Sequence, residues 1–291
     1  MGNRLGRATV SIVAGVALLA GCSSGTPASN TESSNDQSGS AASNADGSEG
    51  GKPLVVAMEL AYPPFETKDE AGDPEGVSVD FFRDFAEAYG YDLTIENTSF
   101  DGLIPMLQTG KADAVMSSMT ITEERKQSVD FSDPYARAQL AILANADSGI
   151  ESIDDLNQAG KTVAVKTGST GDVFATKNLP NAEIVRLADE SAAVTEVTQG
   201  KADGFLYDQL TIYRNQQRNP DTTKAVFVPF QDPEYWGIAV AKGNEELLNQ
   251  LNEFIAQYSK DGGFDAITEK HLAAEKKAFD DLGFSWFFDL D

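Results

Sequence analysis

The sequence predicts an α/β protein made of two similar lobes. Short apolar strands alternate with amphipathic helices from Lys52 onward, which is the pattern of layered α/β domains. The same order of elements occurs twice, and each copy carries the sequence GKAD, at 110–113 and 200–203. Two apolar segments, at 138–145 and 236–243, have the pattern of strands that cross between lobes. We therefore expect two α/β lobes joined by two crossing strands that form a hinge.

The N-terminus has the layout of a secretory signal peptide over residues 1–22. Arg4 and Arg7 precede an uncharged run at 8–20 that is short for a membrane-spanning helix. The run leads into LLAGC, which resembles the lipobox at which bacterial signal peptidase cuts before a lipid-bearing cysteine. Cys22 is therefore the expected attachment site of a lipid such as palmitate. The alternative is a chance cysteine that closes an ordinary signal peptide or an anchor helix.

Residues 23–51 are predicted to form a flexible tether. This segment consists mainly of Ser, Gly, Asn, Asp and Ala, and it contains almost no apolar side chains to bury. A random coil of this composition spans on the order of 30 Å.

The charge of the chain excludes one class of partner. The formal charge is −24, and removal of the two arginines of the signal peptide leaves 20 basic against 46 acidic side chains, or about −26. Such a surface repels phosphate backbones and anionic lipids. We therefore expect no nucleic-acid partner, and we assign membrane attachment to the lipid alone. Because Cys22 is the single cysteine, no disulfide is expected.

The body divides into segments that repeat one plan. The first half contains, in order, a strand at 53–58, a helix at 77–89 ending at Gly90, a strand at 91–99, a helix at 100–110 and a strand at 112–118. The second half contains a strand at 160–165, a helix at 171–179, a strand at 182–187, a helix at 191–200 and a strand at 201–208. The expected domains are 52–143 for the first part of lobe 1, 144–234 for lobe 2, and 235–291 for the return to lobe 1 with a C-terminal tail.

Equivalent positions after the two GKAD sequences carry different polar residues. Ser117 and Ser118 follow the first copy, and Tyr207 and Asp208 follow the second. Both pairs come at the carboxyl ends of predicted strands, where open α/β sheets bind ligands. The scaffold is thus expected to repeat, while the groups that face the crevice differ.

The sequence offers little material for catalysis or metal binding. It contains no nucleophile elbow, zinc-ligand cluster or phosphate loop. The single histidine, His271, is expected to be a solvated residue on a charged helix. We therefore expect no catalytic residues, no metal and no cofactor.

Arg125 is the first candidate for ligand binding. Thr120 and Glu123 fit a capping box, which places Arg125 in or near a first helical turn, where a cation opposes the helix dipole unless an anion compensates it. A guanidinium group there is suited to bidentate binding of a carboxylate. An ordinary exposed arginine is the alternative.

Two further candidates come from the second half. KTGSTGD at 166–172 joins a strand to a helix, with Ser169 or Thr170 as the expected N-cap, so backbone N–H groups would also face an anion. Asp208 could bind an ammonium group. Each has a simpler interpretation, as an ordinary capped loop and as a turn residue. Together with Arg125 they suit a zwitterion, such as an α-amino acid.

The region from Lys52 to about Leu272 resembles the polar amino-acid-binding branch of the family 3 solute-binding proteins of ABC importers. The segments that carry the resemblance are LVVAMELAYPPFE, FDGLIPMLQTGKADAVMSSMTITEERKQSVDFSDPY, GKTVAVKTGST, KADGFLYD and YWGIAVAKG. The resemblance implies a type II periplasmic-binding-protein fold that closes on its ligand like a Venus flytrap.

The resemblance also implies which residues contact the ligand. Arg125 would bind the α-carboxylate, and Asp208 with the Ser118 carbonyl would hold the α-ammonium group. Tyr62 and Phe100 would stack on the ligand's side chain. The complete expected ligand-binding set, in which Thr120, Ser169 and Thr170 assist Arg125, is Glu59, Tyr62, Phe100, Ser117, Ser118, Thr120, Arg125, Lys166, Ser169, Thr170 and Asp208.

Two positions bear on the choice of ligand. Glutamine-binding relatives have an Asp at the position of Glu59 and a Lys at that of Lys166, a pair that can hydrogen-bond both ends of an amide. Lysine- and arginine-binding relatives have an apolar residue in place of Lys166, and an inward-facing Lys166 would repel a cationic ligand. Glutamine or a similar polar amino acid is therefore favoured, and arginine or lysine is the alternative.

The expected function is the binding component of an amino-acid ABC importer, a monomer that is lipid-anchored outside the cytoplasm and delivers its ligand to permease subunits. Dehydratases that act on prephenate-like substrates share this fold, so a cyclohexadienyl dehydratase-like enzyme with Glu59 or Asp208 as general acid is a second interpretation. A surface sensor or adhesin is a third.

The tail, with Phe284, Trp286, Phe287 and Phe288, extends beyond the usual end of relatives and either packs on lobe 1 or contacts a partner.

Overall fold

The computed structural model describes residues 51–290. The strands are β1 Lys52–Met58, β2 Thr67–Lys68, β3 Pro74–Glu75, β4 Tyr91–Asn97, β5 Ala114–Val115, β6 Val129–Phe131, β7 Ala136–Ala138, β8 Leu140–Asn145, β9 Thr162–Lys166, β10 Glu183–Leu187, β11 Gly204–Asp208, β12 Thr223–Val226, β13 Glu234–Trp236 and β14 Ala239–Ala241. The α-helices are α1 Val77–Tyr89, α2 Leu103–Gln108, α3 Ile153–Leu156, α4 Thr170–Asn178, α5 Glu190–Thr198, α6 Gln209–Arg218, α7 Glu245–Lys260, α8 Gly263–His271 and α9 Ala273–Leu282. The signal peptide, Cys22 and the tether, apart from Gly51, lie outside the described residues.

Two five-stranded sheets of the same design form the two lobes. The first has the strand order β4-β1-β5-β14-β6, and the second has the order β10-β9-β11-β8-β12. In each sheet the first three strands are parallel, and the fourth, β14 or β8, is antiparallel to both of its neighbours. The prediction of two α/β lobes is confirmed, and the repeated order of elements produces a repeated topology.

The crossing between the lobes is made by β7 and β13. These two strands pair antiparallel with each other, outside both five-stranded sheets. The segments at 138–145 and 236–243, which the sequence suggested as crossing strands, instead supply mostly β8 and β14. The apolar pattern follows β8 and β14, which are mostly buried, whereas the crossing strands β7 and β13 are short and contain half-buried or exposed residues. β8, a strand of the second lobe's sheet, begins at Leu140, three residues before the predicted end of the first part of lobe 1 at 143. The other domain limits stay predictions.

The two GKAD sequences fold alike. Gly110 and Gly200 end their helices with φ of +68° and +67°, a conformation that glycine adopts without strain. Asp113 then accepts a hydrogen bond from the backbone N–H of Val55, and Asp203 accepts one from that of Thr162, both at 2.8 Å. In each lobe the motif therefore ends a helix and ties the next strand to its parallel neighbour.

Helix α1 shows why lobe 1 has a wide core. Val79, Phe82 and Phe85 lie at helical spacing and are buried, and Gly90 ends the helix in the left-handed region. Phe81 is also fully buried, and its ring centroid lies 5.2 Å from that of Phe254 on α7. Helix α1 is thus covered on two sides, which broadens its apolar face beyond the stripe of a surface helix.

His271 differs from the sequence prediction. It ends α8, its side chain is 16 % exposed, and its Nε2 lies 2.6 Å from a carboxylate oxygen of Asp80 on α1. The charged character of the surrounding helix suggested solvent exposure, but the docking of α8 on α1 covers the ring.

The C-terminal tail packs against the hinge. Trp286 and Phe287 are buried, and the Phe287 ring centroid lies 5.1 Å from that of Phe65 and 5.3 Å from that of Trp236. The backbone N–H of Arg137, in β7, donates to the Phe287 carbonyl at 2.7 Å. The tail therefore covers the protein's own crossing strands.

The tail also reaches the second lobe. Phe284 packs against Phe227, which belongs to a core cluster of lobe 2, with 4.9 Å between the ring centroids.

Among the described residues, no helix is both long enough and apolar enough to cross a membrane.

We expect Phe284→Ala to loosen the lobes, because it removes a contact between the tail and lobe 2. Phe288→Ala is the matched control, since Phe288 is also half-buried but contacts Phe264 and Trp286 within lobe 1. Both substitutions should lower the free energy of unfolding by about 1–3 kcal/mol. Small-angle X-ray scattering should show a larger radius of gyration only for Phe284→Ala. An equal increase in both variants would contradict a specific role for the contact to lobe 2.

Candidate functional site

A small cavity lies between the lobes, at the carboxyl ends of the central strands. Its volume is about 40 Å³. One water needs roughly 10–15 Å³ by this measure, so the cavity has room for only a few atoms and the lobes must separate to admit a larger molecule. Its lining residues are Tyr62, Phe100, Ser118, Thr120, Arg125, Ala138, Leu140, Ser169, Thr170, Tyr207, Asp208, Glu234 and Trp236.

The structure brings together most, but not all, of the expected ligand-binding set. The members that line the cavity are Tyr62, Phe100, Ser118, Thr120, Arg125, Ser169, Thr170 and Asp208. Glu59, Ser117 and Lys166 are buried but do not line it.

Arg125 reaches across the interface from lobe 1. Its guanidinium group donates to the carbonyl of Thr120 at 2.7 Å and to that of Gly168, in lobe 2, at 3.1 Å. Burial lowers its pKa, and the negative charge of Glu234 opposes this effect most strongly. Since a guanidinium group has five N–H donors, the two carbonyls leave part of its hydrogen-bonding capacity for another acceptor.

The predicted capping box around Arg125 is wrong. Arg125 begins a short 3₁₀ turn at Arg125–Gln127, and its backbone N–H donates to the Thr122 hydroxyl at 3.1 Å. Thr120 instead forms an isolated bridge with Trp236 of β13. The spacing of Thr120 and Glu123 is that of an α-helical N-terminus. The turn that forms is a tighter 3₁₀ turn, in which the Thr122 hydroxyl and not that of Thr120 accepts the first backbone N–H.

On the facing side, Ser169 is the N-cap of α4, as the sequence suggested. Its hydroxyl accepts the backbone N–H of Asp172 at 3.2 Å. No hydrogen bond among the described residues uses the backbone N–H groups of Thr170 and Gly171, which begin the helix. The positive end of α4 is therefore directed toward the cavity, where it favours negative charge.

Asp208 ends β11 and caps α6. One carboxylate oxygen accepts the backbone N–H groups of Leu210 and Thr211 at 2.9 and 3.1 Å. The other accepts the hydroxyl of Tyr62, from lobe 1, at 2.6 Å. Burial raises the pKa of Asp208, and these hydrogen bonds oppose the increase.

The aromatic residues of the site contact the cations as well as each other. The Phe100 ring centroid lies 5.3 Å from the Arg125 guanidinium carbon and 5.2 Å from the Lys166 ammonium nitrogen. Both distances are within the range of cation–π attraction. The Tyr62 ring meets Tyr207 edge-on, with centroids 5.8 Å apart.

Lys166 forms a buried ion pair with Glu59 across the lobes. Their side chains are only 1 % and 8 % exposed, so the lysine charge is neutralised by the protein itself. Ser117 supports the pair, because its hydroxyl accepts the backbone N–H of Glu59 at 3.0 Å. The argument against a cationic ligand assumed an inward-facing ammonium group at Lys166, and in the structure this group is paired with Glu59.

A buried polar cluster lies behind Ser118. Ser118 has φ of +48°, a left-handed conformation that is strained for a residue other than glycine. Glu66 is fully buried, the Ser78 hydroxyl donates to it at 2.6 Å, and burial raises its pKa to about 8. Within residues 51–290, Oε1 of Glu66, the Ser118 hydroxyl and the Tyr135 hydroxyl are buried and make no hydrogen bond.

The predicted ligand-binding set omitted five lining residues, Ala138, Leu140, Tyr207, Glu234 and Trp236, although Tyr207 was expected to lie at the crevice. One signal was available for the last two. Side chains on a strand point alternately to opposite faces. Trp236 is buried and Tyr235 is 40 % exposed, so Glu234, two positions before the tryptophan, shares its face and points to the cavity. Among the described residues there is no group of three or more His, Cys, Asp or Glu side chains arranged to hold a metal ion.

Comparison with known proteins agrees with this fold. The family model for bacterial extracellular solute-binding proteins, family 3, matches residues 54–274. The chain belongs to this family.

Three relatives of this solute-binding protein show the range of its family. A probable histidine-binding protein of Neisseria gonorrhoeae is 36 % identical over 228 residues, which cover 77 % of this chain and 85 % of the relative. The ABC transporter glutamine-binding protein GlnH of Bacillus subtilis (strain 168) is 33 % identical over 205 residues, covering 69 % and 74 %. The crystal structure of the ancestral amino acid-binding protein AncCDT-1, a precursor of cyclohexadienyl dehydratase, matches with a TM-score of 0.68 and 38 % identity, covering 75 % and 94 %.

We expect Lys166→Met to destabilise this solute-binding protein by up to about 3–5 kcal/mol, because it leaves the Glu59 carboxylate buried without its partner. The double variant Lys166→Met/Glu59→Gln should recover most of the loss, since no unpaired charge remains. Urea unfolding measures both. Lys242→Met, in the exposed pair with Asp130, is the control and should lose less than about 1 kcal/mol. A double variant as unstable as the single one would show that the unpaired charge is not the cause.

The raised pKa of Glu66 predicts that stability falls with pH. The folded protein holds a proton on Glu66 up to about pH 8, whereas the unfolded chain releases it near the ordinary value of 4.5. This contribution to stability is therefore fully present below pH 4.5 and is lost as the pH rises to about 8.

Glu66→Gln should remove this part of the pH dependence, so that the variant gains stability relative to the parent between pH 5 and 8. Urea unfolding at several pH values measures the difference. Exposed Glu70→Gln is the control, and Glu190, whose pKa burial also raises to about 8, is common to all three proteins. A constant difference between Glu66→Gln and the parent over this range would contradict the assignment.

Proposed function

We propose that the protein is the substrate-binding component of an amino-acid ABC importer and that it captures a polar L-amino acid between its lobes. One observation carries the proposal. Arg125 comes from lobe 1 and Asp208 from lobe 2, and both line one cavity at the carboxyl ends of the sheets. A guanidinium group and a carboxylate that face the same small space are complementary to the two charged groups of an α-amino acid.

The roles of the individual residues follow from this placement. Arg125 binds the α-carboxylate, assisted by the N-terminus of α4 at Ser169 and Thr170. Asp208 and the carbonyl of Ser118 bind the α-ammonium group. Tyr62, Phe100 and Thr120 complete the wall. Glu59, Ser117 and Lys166 lie behind it and set the charge and polarity at the end of the site that receives the ligand's side chain.

Capture is coupled to closure of the lobes. Because the contacts to the two ends of the ligand come from different lobes, a bound amino acid stabilises the closed population. The closed form is then presented to permease subunits in the membrane. A permease partner is supported by the Bacillus relative, which is named as a glutamine-binding protein of an ABC transporter. Catalysis is not part of the proposed function.

Glutamine or a similar polar amino acid is the first candidate ligand, because Glu59 and Lys166 resemble the acidic and lysine residues of glutamine-binding relatives at these positions. A cationic amino acid, arginine or lysine, is the second candidate, and a specific observation supports it. The argument against a cation requires a free charge on Lys166, but Glu59 neutralises that charge.

The rest of the chain has a supporting role. We propose that the protein works outside the cytoplasm as a monomer attached to the membrane by a lipid on Cys22, with residues 23–51 as the tether. The proposed limits are 52–139 and 235–291 for the first lobe and 140–234 for the second, because β8 belongs to the sheet of the second lobe. The negative charge of the body keeps it away from anionic lipid surfaces, so the lipid alone provides attachment.

A dehydratase is the alternative function, because AncCDT-1 is described as a precursor of such an enzyme. The raised pKa of Asp208 is a property that a general acid needs. Incubation with prephenate or arogenate separates the two functions, since an enzyme produces an aromatic product and a binding protein does not.

Calorimetric titration with each of the twenty amino acids should find at least one ligand. Arg125→Ala and Asp208→Asn should each weaken its binding by about 10- to 100-fold, because each removes a charge-assisted hydrogen bond. Asp208→Asn retains a side chain that can cap α6.

Matched controls exclude a general effect of these substitutions. Arg83→Ala removes an exposed arginine of lobe 1, and Asp189→Asn changes the N-cap of α5, away from the cavity lining. Both should bind like the parent. Absence of binding to all twenty amino acids would rule out the proposed function.

A further inference from the structure

Glu234 occupies an unusual position in the site. It begins crossing strand β13, and one carboxylate oxygen accepts the hydroxyl of Thr120 in lobe 1 at 2.9 Å and that of Thr170 in lobe 2 at 2.7 Å. The other oxygen accepts the side-chain amide of Gln231 at 2.7 Å. One protein carboxylate therefore connects the hinge to both lobes.

The two threonines have no second proton to offer. A hydroxyl group carries a single O–H donor, and an ionised carboxylate only accepts. When Thr120 and Thr170 donate to Glu234, neither can donate to another anion. These are two of the groups that stand next to Arg125 at the predicted carboxylate end of the site.

The charge of Glu234 also acts on Arg125. Among the described residues no carboxylate oxygen lies within ion-pair distance of the Arg125 guanidinium, yet Glu234 is the negative group that most favours its charged form. A second carboxylate that entered this region would meet a like charge as well as occupied donors.

We propose that Glu234 is an affinity-setting residue of the binding site, an internal carboxylate that competes with the carboxylate of the ligand. The inference rests on the proposed function, because it requires an amino acid that binds beside Arg125. A ligand must displace Glu234 from Thr120, from Thr170 or from both before its own carboxylate receives their protons. The contact also favours closed lobes without ligand, which lowers the fraction of protein that is open to bind.

The geometry couples this competition to opening. The cavity of about 40 Å³ does not admit an amino acid, so the lobes must separate first. Since Thr120 and Thr170 are in different lobes, separation breaks at least one of the two hydrogen bonds to Glu234. Removing the charge of Glu234 should therefore make opening easier and leave the threonine protons to the ligand.

The test is Glu234→Gln, which keeps the size of the side chain and removes its charge. Titration calorimetry with glutamine, arginine and histidine in parallel should show about tenfold tighter binding of whichever ligands the parent binds, since a neutral amide is a weaker acceptor than a carboxylate. The factor should be similar for each, because all share the α-carboxylate.

Asp232→Asn is the matched control. It removes the same charge two positions away, and Asp232 is exposed and makes no hydrogen bond among the described residues. Its affinities should stay within about twofold of the parent. An equal gain for Asp232→Asn would assign the effect to net charge and overturn the inference. Unchanged or weaker binding by Glu234→Gln would also overturn it, as would opposite changes for glutamine and arginine.

A second measurement needs no ligand. In buffer without amino acids, small-angle X-ray scattering should give a larger radius of gyration for Glu234→Gln than for Asp232→Asn or the parent, and an unchanged radius would contradict the closing role. If the parent binds and Glu234→Gln gains nothing, the inference fails while the proposed function stands. If the parent binds none of the twenty amino acids, the proposed function fails and the competition with it.

Discussion

Charged side chains buried between the two lobes have to find partners, and this requirement determines how the lobes meet. An isolated Lys166 or Glu59 would lose its hydration without compensation, which makes their pairing across the interface the condition for closure. The hydrogen bond from Tyr62 to Asp208 meets the same need on the other side of the site. The cavity is the space left between these contacts, and Phe100, which lies against two cations, forms one of its walls.

The apolar hinge fixes the axis about which the two lobes move. The polar contacts between the lobes do not fix this axis. Trp236, on crossing strand β13, packs against Phe65 of lobe 1 and Phe287 of the tail. The tail lies outside the segment 54–274 that the family model matches. Because its aromatic residues cover the crossing strands and do not line the cavity, they affect how far the lobes separate more directly than which ligand they bind.

Much of the fold could be predicted because its signals are local. A glycine that ends a helix and an aspartate that caps the neighbouring strand lie within four residues of each other, and both GKAD copies fold as this pattern indicates. The site could be predicted only in part. Lys166 and Glu59 are 107 positions apart, and the sequence around each residue does not indicate that they form an ion pair. Strand alternation puts Glu234 on the same face as Trp236, but only the pairing of β13 with β7 determines that this face is directed to the cavity.

The selectivity of such a site comes from groups that the protein has already removed from water. Burial raises the pKa of Asp208, and the hydrogen bonds from Tyr62, Leu210 and Thr211 only oppose this effect. In the proposed site a ligand ammonium group would add the opposite charge that these hydrogen bonds do not supply, whereas an analogue without that group would leave Asp208 with hydrogen bonds but no ion partner. The penalty for a buried unpaired charge exceeds the gain from one more hydrogen bond, so the site discriminates mainly by what the wrong ligand fails to satisfy. The same reasoning applies to Arg125 and a ligand that lacks a carboxylate.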